Sequence, residues 1–152
     1  MRDLPWRGAF DAAFCFGNSY GYLDDSGNRS FLEAVARALR PGGRFALDYG
    51  QSAESVLPRF QARVEAEIGG FRFLEENRYD VLSGRVESRY VFSRGSRSEE
   101  KLASQRMHTV SEILRALSEA GLEVHGIFGS ALDEPFVLGA TSLLVVAEKR
   151  AG

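Results

Sequence analysis

Two places in this chain hold residues with chemistry in reach. The first is the loop Gly17–Asn28, where three glycines, two asparagines and two aspartates force the chain to turn and offer backbone and carboxamide groups to a ligand. Ser19, Tyr20 and Tyr22 stand in it. The second is Arg106-Met107-His108-Thr109. A histidine, with an unperturbed pKa of about 6.5, suits removal of a proton from an amine or hydroxyl. Plainer readings stand beside both. Tyr20 and Tyr22 equally fit the amphipathic rim of a core, and a histidine at a strand–helix junction also serves structure. The single cysteine, Cys15, sits in an apolar run and reads as a small buried hydrophobe. With one cysteine and two histidines there is no metal-ligand spacing.

These residues need a scaffold. The 152 residues suffice for one domain with a real core, and 44% hydrophobic and 26% charged content is ordinary for a globular chain. A net charge of −2 points to neither nucleic acid nor an anionic membrane. No apolar run approaches a membrane span and no secretory signal opens the sequence, so the default expectation is a cytoplasmic protein.

Phe10–Phe16 is a short apolar run that suits a parallel strand buried on both faces. A helix follows with Phe31, Leu32, Val35 and Leu39 on one stripe. Asn28 or Ser30 is in place to cap it, and Ser30 with Glu33 has capping-box spacing. Pro41-Gly42-Gly43 stops it, and Arg44–Tyr49 is a second strand. In such sheets ligands sit at the carboxyl ends of the strands, here Gly17–Leu23 and Asp48–Gly50. Leu57, Phe60, Val64 and Ile68 predict a helix over Gln51–Glu67. Three strand-like stretches follow, Phe71–Val81, Arg85–Phe92 and Lys101–Thr109. Val86, Tyr90 and Phe92 alternate with Arg85, Glu87 and Arg89, which predicts an antiparallel sheet with one wet, charge-balanced face. Thr109 with Glu112 predicts a capped helix to Ala120, and Leu122–Phe128 and Ser142–Glu148 are strands.

MRDLPW, then FDAAFCFGNSYGYL, then LEAVARALRPGGRFALD resembles the class I S-adenosylmethionine-dependent methyltransferases of small molecules. Arg2, Leu4 and Pro5 match a loop after the family's third strand, Phe10 and Asp11 its fourth strand, and Leu39–Gly43 the turn before its fifth. Arg106, His108, Thr109, Glu112 and Glu119–Gly121 match a later segment, and Glu134-Pro135-Phe136 with SLLVVAEK its final hairpin. The resemblance implies an α/β fold: a Rossmann-like methyltransferase sheet, partial, with strands four to seven, and a three-stranded antiparallel insertion after the fifth. The core would be 1–70 and 109–152 and the insertion 71–108, in one partial domain.

It implies S-adenosylmethionine as cofactor and a small-molecule methyl acceptor. Met1, Arg2 and Asp3 would lie along the adenine edge, and Phe16, Gly17 and Asn18 under the methionine part and sulfonium. Ser19, Tyr20, Tyr22, Arg106 and His108 would face the acceptor, with His108 the candidate catalytic base. One departure matters. The family's glycine-rich loop and the acidic residue that holds the ribose do not occur in this sequence. The expectation is therefore a truncated methyltransferase with very weak cofactor binding. The alternative is a non-catalytic remnant or interaction protein, and a nicotinamide-dependent domain fits less well. Strand 11–16, uncovered at the sheet edge, would pair two copies into a homodimer.

Overall fold

The structure, a computed structural model, describes residues 4–129 and 134–151. Strand β1 (Phe10–Cys15) leads through a 3₁₀ turn at Ser19–Tyr22 into helix α1 (Asp25–Ala38), and β2 (Leu39–Asp48) returns parallel to β1. Ala13 sits beside Phe45 and Cys15 beside Leu47. The apolar run is covered on one face only. Cys15 is buried while Phe14 is 74% exposed, because no helix of the described residues covers the face on which Phe14 lies.

Neither cap expected for α1 is used. The Asp24 carboxylate accepts from the Gly27 N–H at 2.8 Å, so the helix starts before Asn28. Asn28 points into the core, and the Ser30 hydroxyl donates to the Ser26 carbonyl. An aspartate is as good a cap as asparagine or serine and adds its charge at the positive helix end. The helix ends at Ala38, and Pro41-Gly42-Gly43 lie in the first part of β2. Gly43 is there for space: a Cβ on it would stand 2.8 Å from the Arg40 carbonyl oxygen.

The helix expected over Gln51–Glu67 does not form. Helix α2 (Ala53–Val56) and a 3₁₀ turn at Leu57–Arg59 take up its first half, and Arg63–Ile68 is strand β3. Val64 and Ile68 satisfy a helical stripe, but Val64, Ala66 and Ile68 also alternate with Arg63, Glu65 and Glu67. Pairing with β4 decides between the two periods. Strands β4 (Phe71–Asp80), β5 (Arg85–Arg94) and β6 (Arg97–Arg106) complete an antiparallel sheet in the order β3-β4-β5-β6. The second sheet therefore has four strands rather than three, and it begins at Arg63 rather than Phe71.

Helix α3 (Val110–Glu119) opens with the expected capping box. The Glu112 N–H donates to Thr109 Oγ1 at 3.2 Å, and the Thr109 N–H to Glu112 Oε2 at 2.7 Å. Strand β7 (Leu122–Phe128) follows, and β8 (Leu144–Lys149) runs antiparallel between β2 and β7, giving β1-β2-β8-β7. Phe45 and Leu47 of β2 face Ala147 and Val145, so the tail strand lies beside RFALD as expected.

Phe31, Leu32 and Val35 of α1 and Ile113 and Leu117 of α3 bury the face formed by Phe45, Leu47, Val145 and Ala147. Burying each large aliphatic side chain contributes about 1.5–3 kcal/mol. The opposite face carries Phe14, Ala46 and Val146 in register, and no helix of the described residues covers it as α1 and α3 cover the first.

Candidate functional site

The carboxyl ends of β1 and β2 are tied together. The backbone turns left-handed at Gly17 (φ 74°) and Asn18 (φ 62°), and Asn18 Oδ1 accepts from the Gly50 N–H at 2.6 Å. Asparagine tolerates this conformation better than most side chains. Nothing stands within 4 Å of where a Cβ on Gly17 would lie, so the backbone there is open to an approaching group. Phe16 beside it is 53% exposed, and the Ser19 hydroxyl donates back to the Phe16 carbonyl.

From Gly50 a cleft of about 520 Å³ opens between the end of β2, the Arg59–Phe60 turn and one face of the second sheet. Gln51, Glu75, Asn77 and Ser88 supply its polar groups, and Tyr90 and Phe60 its rings. The Ser88 hydroxyl donates to Asn77 Oδ1 at 2.5 Å, and Asn77 Nδ2 donates to Glu75 Oε1 at 2.9 Å and to the Gln61 carbonyl at 3.1 Å. Asn77 is thereby held in one orientation.

His108 belongs to a different environment. It is 6% exposed and packs against Tyr20 and Tyr49, ring centroids at 5.2 and 6.2 Å. Its Nε2 lies 3.1 Å from Asn28 Nδ2. As the acceptor of that amide N–H it carries its own proton on Nδ1. Burial, then the neighbouring Arg106 charge, lowers its pKa, so the ring is neutral at neutral pH. Tyr49 donates to the Arg106 carbonyl in a short hydrogen bond. Burial raises both tyrosine pKa values, so both phenols stay protonated. Arg106 donates to the Met107 carbonyl and to Glu112 at 3.0 and 3.2 Å. Burial disfavours the Glu112 charge, but the Thr109 hydrogen bonds and Arg106 outweigh it and lower its pKa. His108, Tyr20 and Asn28 also line a smaller recess of about 170 Å³ between the starts of α1 and α3.

The structure thus brings Tyr20, Arg106 and His108 together, but at a buried junction and not around the larger cleft. Tyr20 takes its packing role, while Tyr22 is 59% exposed. Phe16, Gly17, Asn18 and Ser19 are contiguous at the end of β1, with Asn18's side-chain oxygen already engaged by Gly50. Met1, Arg2 and Asp3 lie outside the described residues. Cys15 is buried and its thiol pKa is raised by burial and then by Asp48, as fits a packing residue. Sequence reasoning missed Gln51, Glu75, Asn77 and Ser88. The alternation along β5 is legible in the sequence, but with β3 expected as helix nothing in it indicates that this face closes a cleft.

No protein-family model matches the chain. Over 153 residues it is 28% identical to the cypemycin N-terminal methyltransferase of a Streptomyces species, covering 99% of this chain and 62% of that protein. Among solved structures it is similar to an S-adenosylmethionine-dependent methyltransferase from Clostridium acetobutylicum, with a TM-score of 0.84, 15% identity and coverage of 99% of this chain and 62% of that one. It is also similar to an amino pentose methyltransferase from Micromonospora echinaspora, solved with S-adenosylmethionine bound, with a TM-score of 0.68 and 21% identity, covering 97% of this chain and 61% of that one. The chain spans less than two thirds of the length of each. What it shares with the solved structures is the α/β methyltransferase fold, a mixed sheet with an antiparallel sheet attached.

Proposed function

We propose that this chain serves S-adenosylmethionine-dependent methyl transfer to a small-molecule acceptor, with the acceptor in the cleft that runs from Gly50 across the second sheet. The observation that carries this is the position of that cleft. It opens at the carboxyl end of β2, next to the Gly17–Asn18 turn, where an open α/β sheet binds its ligands. The residues at the end of β1 fit the methionine end of the cofactor. Gly17 leaves its backbone accessible, and the exposed Phe16 ring offers an apolar surface. Met1, Arg2 and Asp3 remain proposed for the adenine edge, and Ser19 and Tyr22 for the acceptor side.

When bound, S-adenosylmethionine supplies a methyl group already activated by its sulfonium. The chain's own residues then have three tasks: bind the acceptor, aim its nucleophilic atom and exclude water. Tyr20, Arg106 and His108 act as positioning residues in this reading. Their junction holds the 3₁₀ turn at Ser19–Tyr22 against the end of β6. His108 is not assigned the proton removal, because its Nε2 faces Asn28.

The test is a titration of the ¹⁵N-labelled chain with S-adenosylmethionine to roughly millimolar concentration, where even weak complexes register. Amide shifts at Phe16–Asn18 and Gly50, together with Arg2 and Asp3, are the expected result. No shift there would remove the cofactor from this chain's function.

A second reading rests on β1, whose outer edge is unpaired among the described residues and whose Phe14 is exposed. Such an edge pairs with another strand. In this reading the chain is an interaction module or the partial form of a longer enzyme, and in isolation it forms a homodimer through 11–16. Light scattering coupled to size exclusion should show a dimer that Phe14→Lys converts to monomer. A monomer without the substitution excludes the pairing.

A further inference from the structure

The cleft continues beyond its polar end. Alternation along the second sheet puts Val64, Glu75, Asn77, Ser88 and Tyr90 on the face that lines it. The same alternation carries Phe71, Phe73 and Phe92 farther along that face. The rings of Tyr90, Phe73 and Phe92 form a continuous row. Phe73 stacks on Tyr90 at 6.0 Å and 20°, Phe92 lies 5.2 Å from Phe73, and the Arg94 guanidinium covers Phe71 at 5.1 Å. Phe71 and Phe92 are 43% and 40% exposed, although rings of this size gain most by burial.

At the polar end one group is incompletely matched. Glu75 Oε1 accepts from Asn77, while no described residue donates to its other oxygen. Among the described residues one guanidinium lines the cleft, that of Arg59, and it directs its Nε–H and Nη2–H to the backbone carbonyls of Ser55 and Ala140. Arg59 keeps its charge in these bonds, but they turn its Nε and Nη2 donors to the backbone, whereas Glu75 offers a free carboxylate oxygen beside the Tyr90 ring, a pairing that suits a cation.

We infer that this face receives an elongated acceptor with a protonatable amine and a flat aromatic or apolar body, the amine at Glu75 and the body along Tyr90, Phe73 and Phe92. The inference rests on the acceptor site proposed above and adds the chemical class that it takes. It concerns recognition, whichever atom of the acceptor is methylated. Continuity of the aromatic row with the cleft makes the occupant one molecule reaching both ends. A second protein chain seated on the row would leave the carboxylate end unfilled.

The test uses three probes of one shape, 4-phenylbutylamine, 4-phenylbutan-1-ol and 4-phenylbutanoate. Each is titrated into the 152-residue chain by NMR without S-adenosylmethionine. The amine should bind about tenfold more tightly than the carboxylate, the usual scale of one charge-assisted hydrogen bond, and should shift the ring resonances of Phe73, Tyr90 and Phe92. Glu75→Gln should abolish the preference, and Glu75→Asp should retain part of it, which separates lost charge from lost fold. Phe92→Ser should weaken all three probes while keeping their order. Equal affinities, a preference that survives Glu75→Gln, or shifts elsewhere would overturn the inference. Cofactor titrations on the same variants keep the two proposals apart. In the parent chain, absent probe selectivity with intact cofactor shifts sinks this one, and probe selectivity without cofactor shifts sinks the methyl-transfer reading.

Discussion

The two sheets of this molecule are stabilised differently. The parallel-plus-antiparallel sheet β1-β2-β8-β7 packs one face against α1 and α3, and its centre is dry: Leu32, Leu47, Ile113, Leu117 and Leu122 are fully buried. Among the described residues the antiparallel sheet β3-β4-β5-β6 has no comparable layer. One face carries a ladder of charges, Arg63, Glu76, Arg89 and Glu100, at 2.6–3.0 Å. The other carries the cleft and the ring row, with only Ala53, Val86 and Met107 forming a small buried cluster at its root. The first sheet is built for stability and the second for contact. A site on the second sheet can change its side chains without unfolding the first.

The largest expected effect tests that division directly. Leu47→Ala, in the packed sheet, should cost about 3 kcal/mol by lost transfer energy and cavity formation. Leu102→Ala, on a strand of the open sheet where the side chain is 77% exposed, should cost no more than about 0.5 kcal/mol. Urea denaturation of the two variants measures the contrast. Similar losses would mean that the second sheet carries stability after all.

The junction between the sheets comes next. His108→Ala should cost about 2 kcal/mol at pH 7.5, because it removes a buried ring and strands the Asn28 amide. It should also change the pH dependence. Burial and the charges of Arg106 and Arg85 lower the His108 pKa against the opposing pull of Asp25 and Glu112. The unfolded chain therefore takes up a proton at higher pH than the folded one. Stability is full above the unfolded histidine pKa of about 6.5 and is lost as pH falls through the lower folded value. Urea midpoints should decline from pH 7.5 to 5.5, and His108→Gln should flatten the decline. An unchanged slope would show that the ring titrates elsewhere.

How far the sequence foretold this arrangement differs between the same two regions. Most of the packed sheet was legible. The apolar runs at Phe10–Phe16, Arg44–Tyr49, Leu122–Phe128 and Ser142–Glu148 are strands in the expected neighbourhood, and the Thr109–Glu112 box is where its spacing put it. Burial sets those patterns, and burial leaves a strong periodic mark. The second sheet was half legible. Its charged and apolar alternation is plain over β5, but over β3 the sequence predicts helix, because Leu57, Phe60, Val64 and Ile68 match a helical stripe. Only the pairing of Arg63–Ile68 with β4 resolves that, and cross-strand pairing is not written in local sequence. The same ambiguity hides the site. His108 stands out by its chemistry alone, whereas Glu75, Asn77 and Ser88 gain meaning only when β3, β4 and β5 close the cleft.

A smaller effect belongs to the helix that joins the second sheet back to the first. Thr109→Ala removes the side-chain half of the capping box and should cost about 1 kcal/mol. The loss should fall at the low end of the range for such caps, because the Glu54 carboxylate also accepts from the Val110 N–H, at 3.0 and 3.1 Å. The two caps hold different amides of one first turn, Glu112 N–H and Val110 N–H, so if that turn frays as a unit Glu54→Gln combined with Thr109→Ala should cost more than the sum of the single changes. Strict additivity in that cycle would show that the two amides are held independently.

The smallest effect is expected where the structure shows the most ion pairs. Arg89 bridges Glu76 and Glu100 at 2.6 and 2.8 Å, and those hydrogen bonds and charges raise its pKa. Its side chain is 45% exposed, so water competes for every one of these bonds, and salt screens them. Arg89→Gln should leave the urea midpoint unchanged within error, and raising the salt concentration should not separate the variant from the parent. The ladder instead keeps this face wet and charged. Strands β3 and β6, the open edges of the sheet, lie on either side of it, and charged side chains near such edges oppose strand pairing between copies. Arg89→Val should therefore reveal its effect as concentration-dependent association in light scattering rather than as lost stability. A drop in midpoint without association would reverse that assignment and make the ladder part of what holds the second sheet together.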